Sequence, residues 1–283
     1  MTLDWRGVLA GLPGDGRVDA HVHTASSDGT DAVADVVVKA VERGLSGLAI
    51  TDHDTLDGAR SALSMDLPSQ FVIIPGVELT AYWDLQEVHI LGYGVDAESE
   101  QLNEYMGVFT GVRRERAHKI VTRLSVSGVP IEWDSLDSKY TGSAIGRPHI
   151  ARELVSCGHC ANVYEAFHKY LHNGSEFDEP KYRLTVASAV EMIHASGGKA
   201  VLAHPGMMHI DSIITPIVNQ GIDGLETGYP FHHLMQERWL ERYAAKRKLC
   251  ITGGSDFHGS NRPNIKIGAR STTVEQFRKL LAR

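Results

Sequence analysis

At 283 residues and 42% hydrophobic content, the chain is long enough for one large domain, or a barrel with an insertion, around a substantial buried core. A formal net charge of −7 argues against a duplex-DNA-binding surface, and three cysteines cannot build a disulfide framework, which agrees with a reducing compartment. No apolar stretch approaches the roughly 20 residues that span a bilayer, and Met1-Thr2-Leu3-Asp4-Trp5-Arg6 lacks the pattern of a signal peptide, so a soluble cytoplasmic protein with no membrane partner is expected.

Gly11-Leu12-Pro13-Gly14-Asp15-Gly16 leads into a first strand. In the run Val18 to Thr30, Val18, Ala20 and Val22 alternate with Asp19, His21 and His23, so a strand projects both imidazoles from one face, one pleat apart. A Ser-Asp-Gly turn then carries Asp28 back toward the same point. Taken alone, this His-x-His fits an incidental surface strand as well as a metal site. A helix follows over Asp31–Gly44, capped by Thr30 or Asp31, with Val33, Val37, Ala40 and Val41 on its apolar face and Gly44 as its terminator. Strand Gly47–Ile50, short helix Leu56–Ser64 and strand Phe71–Val77 continue a β–α rhythm that breaks at Ala97.

Residues 98–183 carry helical patterns instead and read as an inserted helical subdomain; 1–97 with 184–283 form the barrel. Gln101–Ser127 bears a basic stripe of Arg113, Arg114, Arg116, Lys119 and Arg123, read as a solvated face. Cys157-Gly158-His159-Cys160 has no second cysteine pair and reads as partly buried cysteines near a helix end rather than a zinc or redox site. The rhythm resumes with helix Ala187–Ala195, strand Ala200–Ala203, helix Ile213–Gln220, strand Gly224–Thr227, helix Leu234–Lys246, strand Leu249–Thr252 and a closing helix Thr273–Ala282. About seven strands precede that last helix, one short of the usual eight-stranded barrel.

Almost every short apolar run delivers a His, Asp or Glu at or near its end: His53 after Leu45–Ile50, Glu78 after Phe71–Val77, His89 at the start of Val88–Val95, His204 after Lys199–Ala203, and Asp256 and His258 after Leu249–Thr252. In a barrel of parallel strands such ends converge on one face, where active sites are built. With His21, His23 and Asp28 these side chains outnumber the three or four protein ligands of one catalytic ion, so two or three divalent ions are expected. Mixed imidazole and carboxylate donors suit manganese, zinc or iron, and Glu78 can bridge two ions through its two oxygens. Paired ions stabilise in-line attack at phosphorus, which makes hydrolysis of a small anionic phosphoester by a metal-bound hydroxide the leading expectation. Asp19, Asp52 and Asp54 neighbour the histidines and can orient imidazoles or simply stabilise turns; Glu226 is expected as an acceptor behind the ligands rather than one of them. Asp54 and His209 are the candidate acid/base groups.

Asp19-x-His21-x-His23, Thr51-Asp52-His53, Gly76-Val77-Glu78, Val88-His89-Ile90-Leu91-Gly92, Ala203-His204-Pro205 and Gly254-Ser255-Asp256-Phe257-His258 together resemble the PHP (polymerase and histidinol phosphatase) family of metal-dependent phosphoesterases. The resemblance covers about residues 18–96 and 186–260. It implies a distorted seven-stranded β/α barrel of TIM-like type, with a two- or three-metal centre. It further implies one metal on His21, His23, Glu78 and Asp256, a second on Glu78, His89 and His204, and a third on Asp28, His53 and His258; trinuclear members often have a histidine where this chain has Asp28. Manganese comes first among the implied ions.

The helical insertion after His89 resembles that of the subgroup acting on nucleoside 3′,5′-bisphosphates and on the 5′ ends of short RNA. Residues 98–183 are accordingly expected to serve substrate recognition. A second substrate phosphate calls for cations beyond the metals, and Arg147 and His149 at a helix start are the first candidates, with Arg152 and Lys169 behind them. Structural capping by Arg147 and solvation of Lys169 are the plain alternatives. Competing functions are a phosphatase or phosphodiesterase for a ribose cyclic phosphate or histidinol phosphate, an amidohydrolase, and a non-catalytic metal-bound module docked on a partner.

Overall fold

The first seven elements are α1 (Trp5–Gly11), β1 (Arg17–Val22), α2 (Val33–Glu42), β2 (Gly47–Ile50), α3 (Asp57–Leu63), β3 (Val72–Trp83) and β4 (Gln86–Tyr93). They come from a computed structural model that describes residues 4–140, 144–180, 182–208 and 210–283. A long helix, α4 (Glu100–Val126), leads into α5 (Trp133–Lys139), α6 (Arg147–Ser156) and α7 (Val163–Ala166), the last prolonged by a π turn over Phe167–Leu171. The chain then resumes with β5 (Leu184–Thr185), α8 (Val186–Ala195), β6 (Lys199–Leu202), α9 (Ile210–Val218), β7 (Gly224–Gly228), α10 (Leu234–Arg247), β8 (Cys250–Gly253), β9 (Thr272–Thr273) and α11 (Val274–Leu281). Two compact units result, Met1–Asn103 with Leu184–Arg283, and Glu104–Arg183.

In the first unit the strands run in the order β8-β7-β6-β4-β3-β2-β1-β9, with β5 paired to β3, and curl into a nearly closed barrel. Seven strands of four or more residues form it, as their count in the sequence anticipates; β5 and β9 add two residues each. The ends of the sheet meet at one rim. There the Asp256 N–H donates to the His21 carbonyl at 2.8 Å and the His23 N–H to the Phe257 carbonyl at 2.9 Å. Gly254 is required at this seam, because a Cβ would collide with the backbone of His21.

The expectation of an all-parallel barrel fails at β4, and also at the two-residue β9, which runs antiparallel to β1. β3 and β4 form an antiparallel hairpin, and β4 also runs antiparallel to β6. The tight Asp84-Leu85 connection leaves no room for the crossover that a parallel pair needs. Reversal puts the early part of β4, not its end, at the rim where the other strands finish, and His89 sits there opposite Thr80.

The barrel is apolar because its strands are covered on both sides. Val18, Ala20, Ala49, Val72, Ile74, Leu91, Tyr93, Val201 and Ala203 share one buried cluster with Val274, Phe277 and Leu280 of α11. Leu48, Ile50 and Ile73 pack against Val33, Val36 and Val37 of α2. Val41, placed on that apolar face from its spacing, is exposed instead, and Val36 takes its place. Gly44 ends the α2 turn at φ +68°, a conformation that costs glycine nothing.

The unit Glu104–Arg183 has its own core, in which Ile120, Val121 and Leu124 of α4 meet Leu136, Ile150, Leu154, Ala166 and Phe177. The basic stripe of α4 is not a freely solvated face. Arg114 binds Asp137 and the Tyr140 carbonyl, Arg116 binds Asp178 and the Glu179 carbonyl, and Arg123 pairs with Glu179. The stripe therefore ties α4 to the end of α5 and to the segment past the π turn. Cys157 is exposed and Cys160 is buried in that core, with no disulfide between them.

No helix among the described residues is long and apolar enough to cross a membrane.

Candidate metal centre

The chain ends of β1, β2, β6 and β8, the middle of β3 and the early part of β4 deliver His21, His23, His53, His204, Asp256, His258, Glu78 and His89 to one rim of the barrel. The turn after β1 adds Asp28. His21, His23 and Glu78 are at most 1% exposed and Asp256 2%, so this is a buried polar cluster that must satisfy itself or hold something.

Glu78 lies at its centre. Its Oε2 is 3.1 Å from His21 Nε2 and 3.0 Å from His23 Nε2, while Asp256 Oδ1 is 3.5 and 3.2 Å from the same two nitrogens. The other oxygen, Oε1, is 2.9 Å from His89 Nδ1 and 3.2 Å from His204 Nε2. His53 Nδ1 is 3.4 Å from Oε2, and His258 Nε2 is 3.2 Å from Asp28 Oδ1. Three compact donor sets emerge: His21, His23 and Asp256; His53, Glu78 and His89; and His23, Asp28, His53 and His258.

Donors that share an ion at about 2.0–2.2 Å stand roughly 3.0–3.5 Å from each other, the spacing found here. Two further observations fit a cation rather than a closed hydrogen-bond network. His21 Nε2 and His23 Nε2, 3.1 Å apart, converge on the same two carboxylate oxygens, Glu78 Oε2 and Asp256 Oδ1. His23 Nδ1, Asp28 Oδ1, His53 Nδ1, His89 Nδ1 and Asp256 Oδ1 are all buried with no hydrogen-bond partner of proper geometry.

Charge follows the same pattern. Although burial opposes ionisation, the surrounding imidazoles hold Glu78, Asp28 and Asp256 well below the usual carboxylate range. Burial likewise disfavours protonated His23 and His89, yet Asp256 and Glu78 lift His23 to about 9, and Glu78 with Glu87 lifts His89 to about 10. His53 goes the other way: burial dominates and brings it down to about 3, so it offers a free lone pair at neutral pH.

Behind these donors, Glu226 Oε1 lies 3.0 Å from His21 Nδ1, and Oε2 accepts the His204 backbone N–H at 2.8 Å. A carboxylate only accepts, so Nδ1 of His21 carries the proton and Nε2 turns its lone pair to the cluster. The Asp256 carbonyl, 2.9 Å from His258 Nδ1, does the same for His258. Asp256 Oδ2 is held by the Tyr229 hydroxyl at 2.9 Å and by Arg262, which leaves Oδ1 to the histidines. His204 at φ +31° and Asp256 at φ +51° sit in left-handed conformations that a rim packed this tightly imposes on them.

The PHP-domain profile matches residues 19–260. The chain belongs to the PHP family. Three PHP relatives span nearly its full length. The 5′-3′ exoribonuclease Rnm of Escherichia coli is 33% identical over 89% of this chain and 88% of its own. The phosphoribosyl 1,2-cyclic phosphate 1,2-diphosphodiesterase of Eggerthella lenta is 30% identical over 85% and 94%, and the 3′,5′-nucleoside bisphosphate phosphatase of Chromobacterium violaceum 29% over 89% and 90%. A solved structure from Bifidobacterium adolescentis, assigned as a metal-dependent phosphoesterase, superposes with a TM-score of 0.84 at 30% identity over 96% of this chain and 97% of its own. This PHP protein is a hydrolase acting on phosphoester bonds.

Sequence reasoning and the PHP structure part ways on the supporting groups. Asp19, Asp52 and Asp54 all bond to groups of the rim loops. Asp19 accepts the N–H groups of Ser255 and Gly268, and burial pushes its carboxyl up to about 6. Asp52 holds Thr24 and Ser27, and the oxygens of Asp54 accept from the Thr80 N–H and hydroxyl. Each ties one rim loop to its neighbour. Of the two acid/base candidates, Asp54 is buried at the rim beside Thr80, and His209 lies outside the described residues.

The four substrate-contact candidates all have partners within the unit Glu104–Arg183. Arg147 donates to the Leu171 carbonyl at 2.9 Å and to Asn173 at 2.7 Å. His149 is buried, and its Nδ1 accepts the Gly146 N–H at 2.9 Å, a helix-capping role. Arg152 donates to the Pro148 carbonyl and lies over the Tyr140 ring, and Lys169 pairs with Glu165 one turn away. Tyr229, His232 and Arg262 went unnoticed in the sequence. Tyr229 and His232 do follow the end of β7, the signal that found the ligand candidates, whereas Arg262 sits four residues past His258 in no recognisable pattern.

Proposed function

We propose that this PHP phosphoesterase removes the 3′-phosphate from nucleoside 3′,5′-bisphosphates and also acts on the 5′ ends of short RNA. The observation that carries the metal-dependent part of the reading is the division of Glu78: one oxygen faces His21 and His23, the other His89 and His204. On this reading His21, His23, Asp256 and Glu78 hold one divalent ion, Glu78, His89 and His204 a second, and Asp28, His53 and His258 a third, with manganese as the first candidate. His53 also stands within reach of Glu78, and His23 of Asp28, so those two imidazoles are placed to serve neighbouring positions. Bound divalent ions supply an activated water and positive charge against the phosphoryl oxygens.

The chain's own part is pre-organisation. Glu226 fixes the His21 tautomer and the His204 backbone together, while Tyr229 and Arg262 aim Asp256. Nearly complete burial of His21, His23 and Glu78 keeps bulk water from loosening them. The relatives named as a 5′-3′ exoribonuclease and as a 3′,5′-nucleoside bisphosphate phosphatase support the nucleotide reading. The Eggerthella relative favours a second reading, a diesterase for a ribose cyclic phosphate.

The test is a hydrolysis panel on chelator-stripped protein with and without added manganese: adenosine 3′,5′-bisphosphate, short 5′-phosphorylated RNAs, a ribose cyclic phosphate and histidinol phosphate. Release of one phosphate from the bisphosphate to leave the 5′-monophosphate, dependent on manganese, is the expected result. Turnover of the cyclic phosphate alone moves the assignment to the second reading, and full activity in stripped protein removes the metal centre from it.

A further inference from the structure

We infer that Phe231, on the loop between β7 and α10, is a stacking platform for the base of a nucleotide whose phosphate is held at the metal rim; this rests on the nucleotide reading above. The loop begins with Tyr229, whose hydroxyl donates to Asp256 Oδ2 at 2.9 Å and whose ring centroid is 5.2 Å from that of His204. Phe231 is the next ring outward, with its centroid 5.7 Å from Tyr229. A chain of rings thus runs from the rim to the surface. Tyr229 is 5% exposed and belongs to the centre, whereas Phe231 is 50% exposed.

The half-exposed ring stands on rigid ground. His232 Nδ1 donates to the Thr227 carbonyl at 2.9 Å, and its Nε2 accepts the Gly206 N–H at 3.0 Å. Gln236 accepts the His233 N–H at 2.7 Å and donates to the Gly206 carbonyl at 2.7 Å. These bonds lock the Phe231 loop to the turn that follows His204. Gly206 fits there because a Cβ would come within 2.6 Å of the His232 ring. Met207, on the turn after His204, and Leu234 and Met235, which open α10, are 60%, 59% and 69% exposed, so the turn and the helix start present an apolar lip.

Covering exposed apolar surface is favourable, and a loop braced on both sides loses little entropy when it is covered. Charge distinguishes the occupant. The apolar lip adjoins a centre built for cations and phosphate, so a ligand must join a flat apolar part to an anion. A nucleoside phosphate does so. Stacking reads no base edge, so all four bases are accepted.

The experiment uses the manganese-loaded full chain and titration calorimetry with two probes that differ only by the base, adenosine 5′-monophosphate and ribose 5-phosphate. Wild type, Phe231→Ala, Phe231→Leu and Phe231→Trp are compared, with thermal unfolding and bound-metal content as folding checks. The expected result is that Phe231→Ala weakens adenosine monophosphate about five- to a hundredfold, that Phe231→Trp restores it, and that ribose phosphate shifts by less than about threefold. The KM for adenosine 3′,5′-bisphosphate rises in step, with kcat nearly constant. If wild type prefers the adenosine probe and Phe231→Ala leaves that preference intact, the platform is wrong while the nucleotide reading stands. If wild type binds both probes alike and hydrolyses no bisphosphate, the nucleotide reading falls and the platform with it.

Discussion

Glu226 Oε1 and His21 Nδ1 lie 3.0 Å apart with both side chains fully buried, and the second Glu226 oxygen takes the His204 N–H. One carboxylate thus sets a ring on β1 and the backbone after β6, two elements far apart in the chain. Removing such a partner from a metal-binding histidine costs about 10–100-fold in metal affinity. Glu226→Ala is expected to weaken manganese binding within that range, and Glu226→Gln less, because its carbonyl can still accept from Nδ1. Competition with a calibrated chelator measures both. Equal affinity in wild type and Glu226→Ala refutes the tautomer-setting role.

The ligand candidates were legible because a strand end is a fixed address. Once β1 is a strand, its pleat puts His21 and His23 on one face, and parallel neighbours bring His53, His204 and Asp256 to the same level. The reversal of β4 was not legible, since an apolar run such as Val88–Val95 carries no sign of its direction. Nor was the use of Asp19, Asp52 and Asp54, because an aspartate beside a histidine can serve a ring or a loop, and only the position of Thr24, Thr80 and Ser255 in space decides. The α4 stripe misled for a similar reason: Arg114 and Arg116 look like a solvated face until residues 137–140 and 178–179 fold onto them.

Metal affinity is expected to rise with pH. In the ion-free chain His23 and His89 titrate near about 9 and about 10, above the ordinary 6.5. Their raised values stabilise the ion-free fold below pH 6.5, where both groups are protonated, and that stabilisation is lost as pH climbs through the folded values. Binding requires the deprotonated rings, so ions displace protons over the same window. His53, already neutral at pH 7, contributes none. The gap in Tm between manganese-loaded and stripped protein therefore widens from pH 6 to pH 8, and calorimetry in buffers of different ionisation enthalpy detects proton release at pH 7. A constant gap with no proton release contradicts this.

Asp52 is a stability prediction independent of the metals. Its carboxylate is 1% exposed and accepts from the Thr24 N–H at 2.7 Å, the Thr24 hydroxyl at 2.8 Å and the Ser27 hydroxyl at 2.6 Å. Asp52→Ala removes the acceptor that these three donors share, at about 1–3 kcal/mol for each that finds no other partner. The loop they brace carries Asp28. A clear drop in Tm is expected in stripped protein, accompanied by loss of the donor set that includes Asp28, seen as lower metal content per chain. An unchanged Tm in stripped protein rules out this brace.

Glu78 gives the most severe expected loss, because its two oxygens face different pairs of imidazoles, His21 with His23 and His89 with His204. Glu78→Gln keeps the volume and one acceptor oxygen but replaces the other with an amide N–H₂, which cannot bind a cation and points a donor at a position built for one. At most one of the two sets survives, and the charge that holds His21 and His89 in place is gone. Metal content measured by mass spectrometry is expected to fall by at least one ion per chain. Since the paired-ion arrangement is lost as a unit, kcat/KM on adenosine 3′,5′-bisphosphate is expected to drop at least about a hundredfold. Thermal unfolding in the absence of metal separates this from misfolding: a folded Glu78→Gln protein that keeps every ion and its activity means that Glu78 lies beside the metal centre without joining its two halves.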